Sequence, residues 1–405
     1  MSRTITLLRH GQTEANLADL WQGQGDSPLS ATGRAQVKSV AQRLSGSHYD
    51  LLIASDLGRT RATAAALGRP VELKSEWREA DLGTWEGKSK ADTHDEHEEF
   101  VAALKSGDDP QLGVTGERLG DVAHRIGGAL DDLVRRLDDG QRALVVCHGG
   151  VIQAAAQLVL GAKHPPTGLI NTSLTTIQYD DDTPRLHVFN DVGHLPSEVP
   201  NGATEILVIR HGESEGNVAQ RWQGRHDAAL TETGREQARR LANVELHVSR
   251  VVSSPLARAF DTAKAVANSA SLDLDVEPDL VEFDFGEWEN LTAAEIEQRF
   301  PEEWHAFRTV DEDIPRGRTG ERFEEGGERF HAVVEALVSA APGLRTAVVS
   351  HGGVSRAYLA KVLGVGFADR YRYSQLRNTA MASFVFRHGV SRMSRWNVAP
   401  HLDLR

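Results

Sequence analysis

The sequence predicts an α/β protein: two tandem three-layer α/β/α domains, each a mainly parallel sheet with helices on both faces. Two observations predict it. Short apolar runs alternate with helical stretches through both halves, the pattern of strands joined by crossover helices. The second half also rewrites the first, because Leu7-Leu8-Arg9-His10-Gly11-Gln12-Thr13-Glu14-Ala15-Asn16 returns as Val208-Ile209-Arg210-His211-Gly212-Glu213-Ser214-Glu215-Gly216-Asn217. The offset, 211 − 10 = 201, also carries Trp21-Gln22-Gly23 onto Trp222-Gln223-Gly224 and Thr32-Gly33-Arg34 onto Thr233-Gly234-Arg235. So long a period denotes domain duplication, not a stacked array.

At 405 residues the chain exceeds one ordinary domain. The expected division is a first domain over 1–195, a linker over 196–203 marked by Pro196, Pro200 and Gly202, and a second domain over 204–405. A formal charge of −13 argues against a nonspecific nucleic-acid or anionic-membrane surface. It leaves room for an anionic small-molecule substrate in a locally basic pocket. The single cysteine, Cys147, rules out an intrachain disulfide and a cysteine-rich metal site. No run is long and apolar enough to span a bilayer, and the first strand begins too near Met1 for a signal peptide, so a cytoplasmic location is expected.

Taken in order, Ile5-Thr6-Leu7-Leu8 and Ile206-Leu207-Val208-Ile209 read as buried strands that end in arginine, histidine and glycine. A helix near Thr32–Ser45 precedes a second strand, Leu51-Leu52-Ile53-Ala54. Ser55 and Asp56 are N-cap types before a helix over Leu57–Leu67, with Arg59 in its first turn. Val251-Val252-Ser253-Ser254-Pro255 and Leu256–Ala267, with Arg258, repeat this. Glycine-punctuated segments, Glu79 to Gly87 and Glu282 to Asn290, read as loops before a helical excursion that differs between the halves. A helix then leads to Ala143-Leu144-Val145-Val146-Cys147 or Ala347-Val348-Val349-Ser350, closed by His148-Gly149-Gly150 or His351-Gly352-Gly353 and another helix.

Ligands in open α/β sheets sit at strand carboxyl ends. Arg9-His10, Arg59 and His148 can therefore converge, as can Arg210-His211, Arg258 and His351. Guanidinium forks suit phosphate oxygens. Flanking arginines push a histidine towards its neutral form, whose free ring nitrogen can attack phosphorus.

Arg-His-Gly with a downstream Thr/Ser and Asn, Ser-Asp/Pro-Leu-x-Arg, Glu-x-x-x-Gly-x-Trp-Glu and a late His-Gly, in this order and twice, resemble the histidine phosphatase superfamily. The resemblance is to its phosphoglycerate-mutase-like branch and covers both halves nearly end to end. It implies a phosphoglycerate mutase-like fold and a phosphomonoesterase acting on small phosphorylated metabolites through phosphohistidine, with no cofactor and no metal. By this resemblance His10 and His211 are the nucleophiles. Arg9, Asn16, Arg59 and His148 hold the phosphoryl oxygens in the first half; Arg210, Asn217, Arg258 and His351 do so in the second. Glu79 and Glu282 protonate the leaving oxygen. Ala62 and Asp261 depart from the family's usual glutamine, and Asn290 replaces a glycine.

Other readings stand beside these. Glu76, Asp81, Glu86, Asp284, Glu287 and Glu289 are rivals for the acid. Trp21-Gln22 and Trp222-Gln223 fit either a substrate rim or the core. The run from Asp92 to Glu99, with His94 and His97, fits a solvated helix face better than a metal site. Asn171-Thr172 and Asn378-Thr379 read as structural. Phosphoglycerate mutase-type phosphotransfer is the alternative activity, and one active half beside a regulatory pseudo-phosphatase half is the non-catalytic one. The halves are expected to pack as an intrachain pseudo-dimer. Arg308, Arg316, Arg318 and Arg322 lead us to expect a more anionic substrate at the second site.

Overall fold

The computed structural model describes residues 2–106, 108–196, 203–387 and 389–402. Most of the expected linker, residues 197–202, lies outside the described residues. The chain divides into two compact units, Met1–Leu160 with Gly168–Leu195, and Gly161–Thr167 with Pro196–Arg405.

The first unit runs β1 (Ser2–Arg9), α1 (Glu14–Leu17), α2 (Ala31–Leu44), β2 (Leu51–Ala54), α3 (Gly58–Ala65), β3 (Glu72–Leu73), α4 (His94–Lys105), α5 (Leu119–Arg136), β4 (Arg142–Cys147), α6 (Gly149–Leu160), β5 (Leu174–Asp180) and β6 (Thr183–Asp191). Its strands lie in the order β3-β2-β4-β1-β5-β6. The first four are parallel, and the β5–β6 hairpin closes the edge antiparallel to β1. β1 and β4 are central and covered on both faces, which is why they read as unbroken apolar runs: Ile5, Leu7, Leu8, Val145 and Val146 are fully buried. Leu8, Val40, Leu44, Ala54, Ala64 and Val146 share one core beneath α2 and α3.

The second unit repeats the plan with β7 (Thr204–Arg210), α7 (Glu215–Val218), β8 (Arg221–Trp222), α8 (Glu232–Ala242), β9 (Arg250–Ser253), α9 (Ala257–Ala270), β10 (Leu274–Val276), β11 (Leu291–Thr292), α10 (Ala293–Arg299), α11 (Pro301–Arg308), α12 (Phe323–Ala340), β12 (Arg345–Ser350), α13 (Gly352–Leu363), β13 (Met381–Arg387) and β14 (Val390–Val398). The order β10-β9-β12-β7-β13-β14 matches that of the first unit. The small β8–β11 pair is separate from the main sheet.

The Thr-Gly-Arg repeat has a packing cause. A Cβ on Gly33 would stand 1.9 Å from the Gln12 carbonyl oxygen, and one on Gly234 would stand 2.0 Å from that of Glu213. Only glycine lets the first turn of α2 or α8 rest on the loop that carries the first histidine. Asn290 occupies a left-handed position at φ 58°, matching Gly87 at φ 74°, and asparagine tolerates that region better than most side chains. One local expectation is corrected. The N-cap of α3 is Leu57, with no side-chain cap, because the Ser55 hydroxyl faces His148 and Asp56 pairs with Arg78.

His401 is buried and bonded through Nε2 to the Thr379 hydroxyl at 2.8 Å. Burial first, then Arg377 and Arg240, hold it down at about 4. Below roughly pH 6.5 the unfolded chain therefore binds a proton that the folded chain refuses until about pH 4, and stability falls as the pH drops through that window. His401→Asn should lessen that loss by roughly 3 kcal/mol, read from denaturant unfolding at both ends of the window. An unchanged pH dependence would contradict the assignment.

Candidate active site

Strand register brings the histidines together. Arg9 on β1 pairs with Cys147 on β4, so His10 and His148 leave adjacent parallel strands at the same level, with ring centroids 5.2 Å apart. Arg210 pairs with Ser350 on β12 in the same way, and His211 lies 5.3 Å from His351. Arg59 and Arg258 arrive from the first turns of α3 and α9, which follow the strands on the other side of β4 and β12.

His10 Nδ1 lies 2.8 Å from the Gly11 carbonyl oxygen, and His211 Nδ1 lies 2.6 Å from that of Gly212. A carbonyl can only accept, so Nδ1 carries the proton and Nε2 presents a lone pair. Burial first, then Arg59 and Arg9, hold His10 well below its ordinary value; for His211 the causes are burial, Arg210 and Arg258. Both rings are thus neutral at physiological pH and fixed in one tautomer.

Each arginine is anchored by carbonyls and left with donors to spare. Arg9 Nη1 donates to the Leu169 carbonyl and Arg210 Nη1 to that of Leu376, while the buried Nε of each has no partner. Burial lowers Arg210 to about 10 against the opposing pull of Glu282, so it stays charged. Arg59 donates to the Gly25 and Gly23 carbonyls and Arg258 to those of His226 and Gly224. The second histidines are held from behind. His148 Nε2 lies 2.9 Å from Ser55 Oγ and His351 Nε2 lies 2.8 Å from Ser254 Oγ. In the first unit Arg59 Nε donates to His148 Nδ1 at 3.2 Å; in the second, Arg258 Nε and His351 Nδ1 are both without a hydrogen-bond partner among the described residues.

The His-Gly-Gly repeat is explained by what crowds it. A Cβ on Gly150 would lie 2.4 Å from Glu79 Oε1, and one on Gly353 would lie 2.7 Å from Glu282 Oε1. The carboxylates occupy that room. Glu79 Oε2 accepts from Gly150 N at 3.0 Å, and Glu282 accepts from Gly353 N and Val354 N at 2.8 Å each, at the N-termini of α6 and α13. Four of their six rivals are engaged elsewhere. Glu86 accepts from Gly23 N, Glu289 from Arg225 N and His226 N, and Asp81 and Asp284 cap the turns at Gly83 and Gly286.

A cavity of about 350 Å³ opens on the second site and is lined by Arg210, His211, Asn217, Arg258 and Glu282, the last being its only carboxylate. Trp222 and Gln223 line it too, and Trp222 also packs against Phe285 and Trp288, so rim and core are both right for it. Two asparagines that read as structural brace the loop after each first histidine. Asn171 Nδ2 bridges the His10 carbonyl and Asn16 Oδ1, and Asn378 Nδ2 does the same for His211 and Asn217. Since Thr13 N and Ser214 N also donate to those Oδ1 atoms, the amide groups of Asn16 and Asn217 turn their N–H donors outward. The only sequence signal was recurrence of Asn-Thr. The run from Asp92 to Glu99 is mostly exposed, as expected of a solvated face, and within it the half-buried His97 packs against Trp21 and Trp85. Among the described residues no group of three or more His, Cys, Asp or Glu side chains is placed to hold a metal ion, and no helix is long and apolar enough to cross a membrane.

The sequence is similar to a bifunctional protein of Mycobacterium tuberculosis, 35% identical over 185 residues, 45% of this chain and 50% of that protein. It is also similar to a probable phosphoglycerate mutase of Enterobacter sp., 34% identical over 184 residues, 44% of this chain and 85% of that protein. The chain spans about half the length of the first of these relatives. A mycobacterial glucosyl-3-phosphoglycerate phosphatase superposes with a TM-score of 0.45 at 28% identity, over 48% of this chain and 99% of that one. The profile of the histidine phosphatase superfamily (branch 1) matches residues 5–192 and again residues 206–399, so the chain belongs to that superfamily and carries its domain twice.

Proposed function

We propose that each unit is a phosphomonoesterase that hydrolyses small phosphorylated metabolites through a phosphohistidine intermediate, without a metal. The observation that carries this reading is the pair of neutral imidazoles, each with Nδ1–H tied to a carbonyl and Nε2 free beside an arginine with unspent donors. Nε2 of His10 or His211 attacks phosphorus as the ester oxygen departs with the phosphorus–oxygen bonding pair. Arg9, Arg59 and the Asn16 amide take the equatorial oxygens at the first site, where His148 joins them once Arg59 Nε turns from its Nδ1 to the phosphoryl group and the ring proton moves to that nitrogen, leaving Nε2 to accept from the Ser55 hydroxyl; Arg210, Arg258, His351 and Asn217 take them at the second. Preorganised donors of this kind supply most of what phosphoryl transfer asks of a protein.

The protonated carboxyl of Glu79 or Glu282 donates to the leaving oxygen. The resulting carboxylate then takes a proton from the water that cleaves the nitrogen–phosphorus bond, which returns the imidazole. Helix N-terminal N–H groups fix the carboxyl where that shuttle needs it. The relatives named for phosphoglycerate mutase favour a second reading, phosphotransfer between two hydroxyls of the substrate. It differs only in what accepts the phosphoryl group, and dependence on a bisphosphorylated primer would reveal it.

Two outcomes test this. His10→Ala and His211→Ala should each retain part of the release of phosphate from nitrophenyl phosphate, and the double variant should retain none above background. Phosphate released at an undiminished rate by the double variant would end the phosphohistidine reading. In the His10→Ala background, Glu282→Gln should lower kcat on an alkyl phosphate by about a hundredfold or more. The loss on nitrophenyl phosphate should be smaller, because that leaving group needs little protonation. Equal losses on both substrates would assign Glu282 a positioning role instead.

A further inference from the structure

The phosphoryl cradles of the two sites are near copies, but the walls around them are not. Beyond the cradle, the second cavity is lined by arginines set among aromatic rings. Arg316 is 3% exposed and lies 4.0 Å over Phe283, with Phe285, Phe307 and Phe323 at 5.8 to 6.0 Å. It spends one N–H on the Glu321 carbonyl. The carboxylates nearest in influence are committed elsewhere: Asp313 accepts from Phe323 N and Glu324 N, Glu321 pairs with Arg329 at 2.8 Å, and Glu282 is held by α13. Burial lowers Arg316 only to about 10, so it keeps its charge. A buried cation without a dedicated counter-ion is costly unless a ligand supplies the anion.

Arg308 stands at the exposed end of the same cavity, stacked against Trp304 and Tyr371 and donating to the Tyr371 hydroxyl. Among the described residues neither Arg308 nor Arg316 has a carboxylate in ion-pair contact. Four other arginines of this region differ. Arg221 has Glu295 at 3.2 Å, Arg370 has Asp311 at 2.8 Å and Arg318 has Glu303 at 2.8 Å, while Arg322 turns its guanidinium to the Asp313 carbonyl. Of the four arginines the sequence pointed to, two therefore face the cavity.

The matching positions of the first unit carry none of this. Aligned on the flanking motifs, Arg221, Phe283, Phe285, Arg316, Phe323 and Arg356 correspond to Leu20, Ala80, Leu82, Leu112, Leu119 and Gln153. No arginine occurs between residues 89 and 117, where the excursion runs instead through the acidic α4.

We propose that Arg308 and Arg316 form a subsite for a second anionic group on the substrate of the second site, absent from the first. One chain thus sorts phosphomonoesters by the charge of their organic part. This rests on the phosphatase reading above. The occupant is a carboxylate or a second phosphate on the alcohol being released, and the first site takes esters whose alcohol carries no negative charge.

The test uses the full chain with one nucleophile removed: His10→Ala to read the second site, His211→Ala to read the first. Three probes share a three-carbon skeleton: propyl phosphate, phosphonooxypropanoate and propanediol bisphosphate. The second site should prefer one or both doubly anionic probes over propyl phosphate by about tenfold or more in kcat/KM. Whichever is preferred identifies carboxylate or phosphate as the second group. The first site should show no such preference. In the His10→Ala chain, Arg308→Ala and Arg316→Leu, the latter copying Leu112, should each cut the preference ratio by about tenfold. Should Arg316→Leu fail to fold, the exposed Arg308→Ala decides. The same preference at both sites, or a ratio that survives Arg308→Ala, overturns the proposal while hydrolysis of nitrophenyl phosphate leaves the phosphatase reading intact. Failure to hydrolyse any of the four esters at either site overturns both.

Discussion

The bond from His10 Nδ1–H to the Gly11 carbonyl, and its counterpart from His211 to Gly212, is the constraint on which the rest of each unit depends. An imidazole buried between two guanidinium groups has two ways to exist without charge, one proton on either nitrogen, and only one leaves the Nε2 lone pair free. The backbone carbonyl selects that one. Because the acceptor belongs to the residue next in the chain, it moves with the ring and cannot be lost by a rotamer change elsewhere. Burial and the arginines then remove the competing protonated form.

Holding that geometry places demands on the backbone that glycine alone meets. The first loop must lie against α2 or α8 closely enough that a Cβ on Gly33 or Gly234 would overlap a carbonyl oxygen. On the opposite strand, the pair after each second histidine must admit an arginine and a carboxylate side by side. A Cβ on Gly352 would sit 2.3 Å from Gln375 Nε2 and 3.1 Å from Arg210 Nε, and one on Gly150 or Gly353 would overlap Oε1 of Glu79 or Glu282, whereas one on Gly149 would only touch Arg9 Nε at 3.4 Å. The motif glycines therefore create space for charged side chains as much as they permit unusual torsions.

These pressures explain which parts were legible before any coordinates. The strands β1, β4, β7 and β12 could be read because both their faces are buried, and the histidines and arginines could be read because their types repeat at fixed distances from those strands. The antiparallel β5–β6 and β13–β14 edges were harder, since Thr175, Gln178, Ser383 and Ser394 break the apolar runs. Ser55 was misread as a cap because its hydroxyl serves a histidine 93 residues away, a contact with no local signature. The contacts of Asn171 and Asn378 have no local signature either, because their amides work across separations of 155 to 167 residues.

Duplication separates two kinds of constraint that a single domain would confuse. Residues that the proposed mechanism ties to the phosphoryl group reappear with the same partners to within a few tenths of an ångström: the carbonyl under each first histidine, the serine behind each second histidine, the N–H groups under each glutamate. Residues on the walls beyond that constellation have changed in kind, as Leu112 to Arg316 and Ala80 to Phe283 illustrate. The change is not a neutral exchange of core side chains. Arg316 brings a charge into a buried aromatic setting where a leucine of similar volume would pack at lower cost, and four phenylalanines surround it. A fold that keeps one constellation of histidines and arginines twice, yet accepts that cost around only one copy, is what the proposed division of substrates by charge requires.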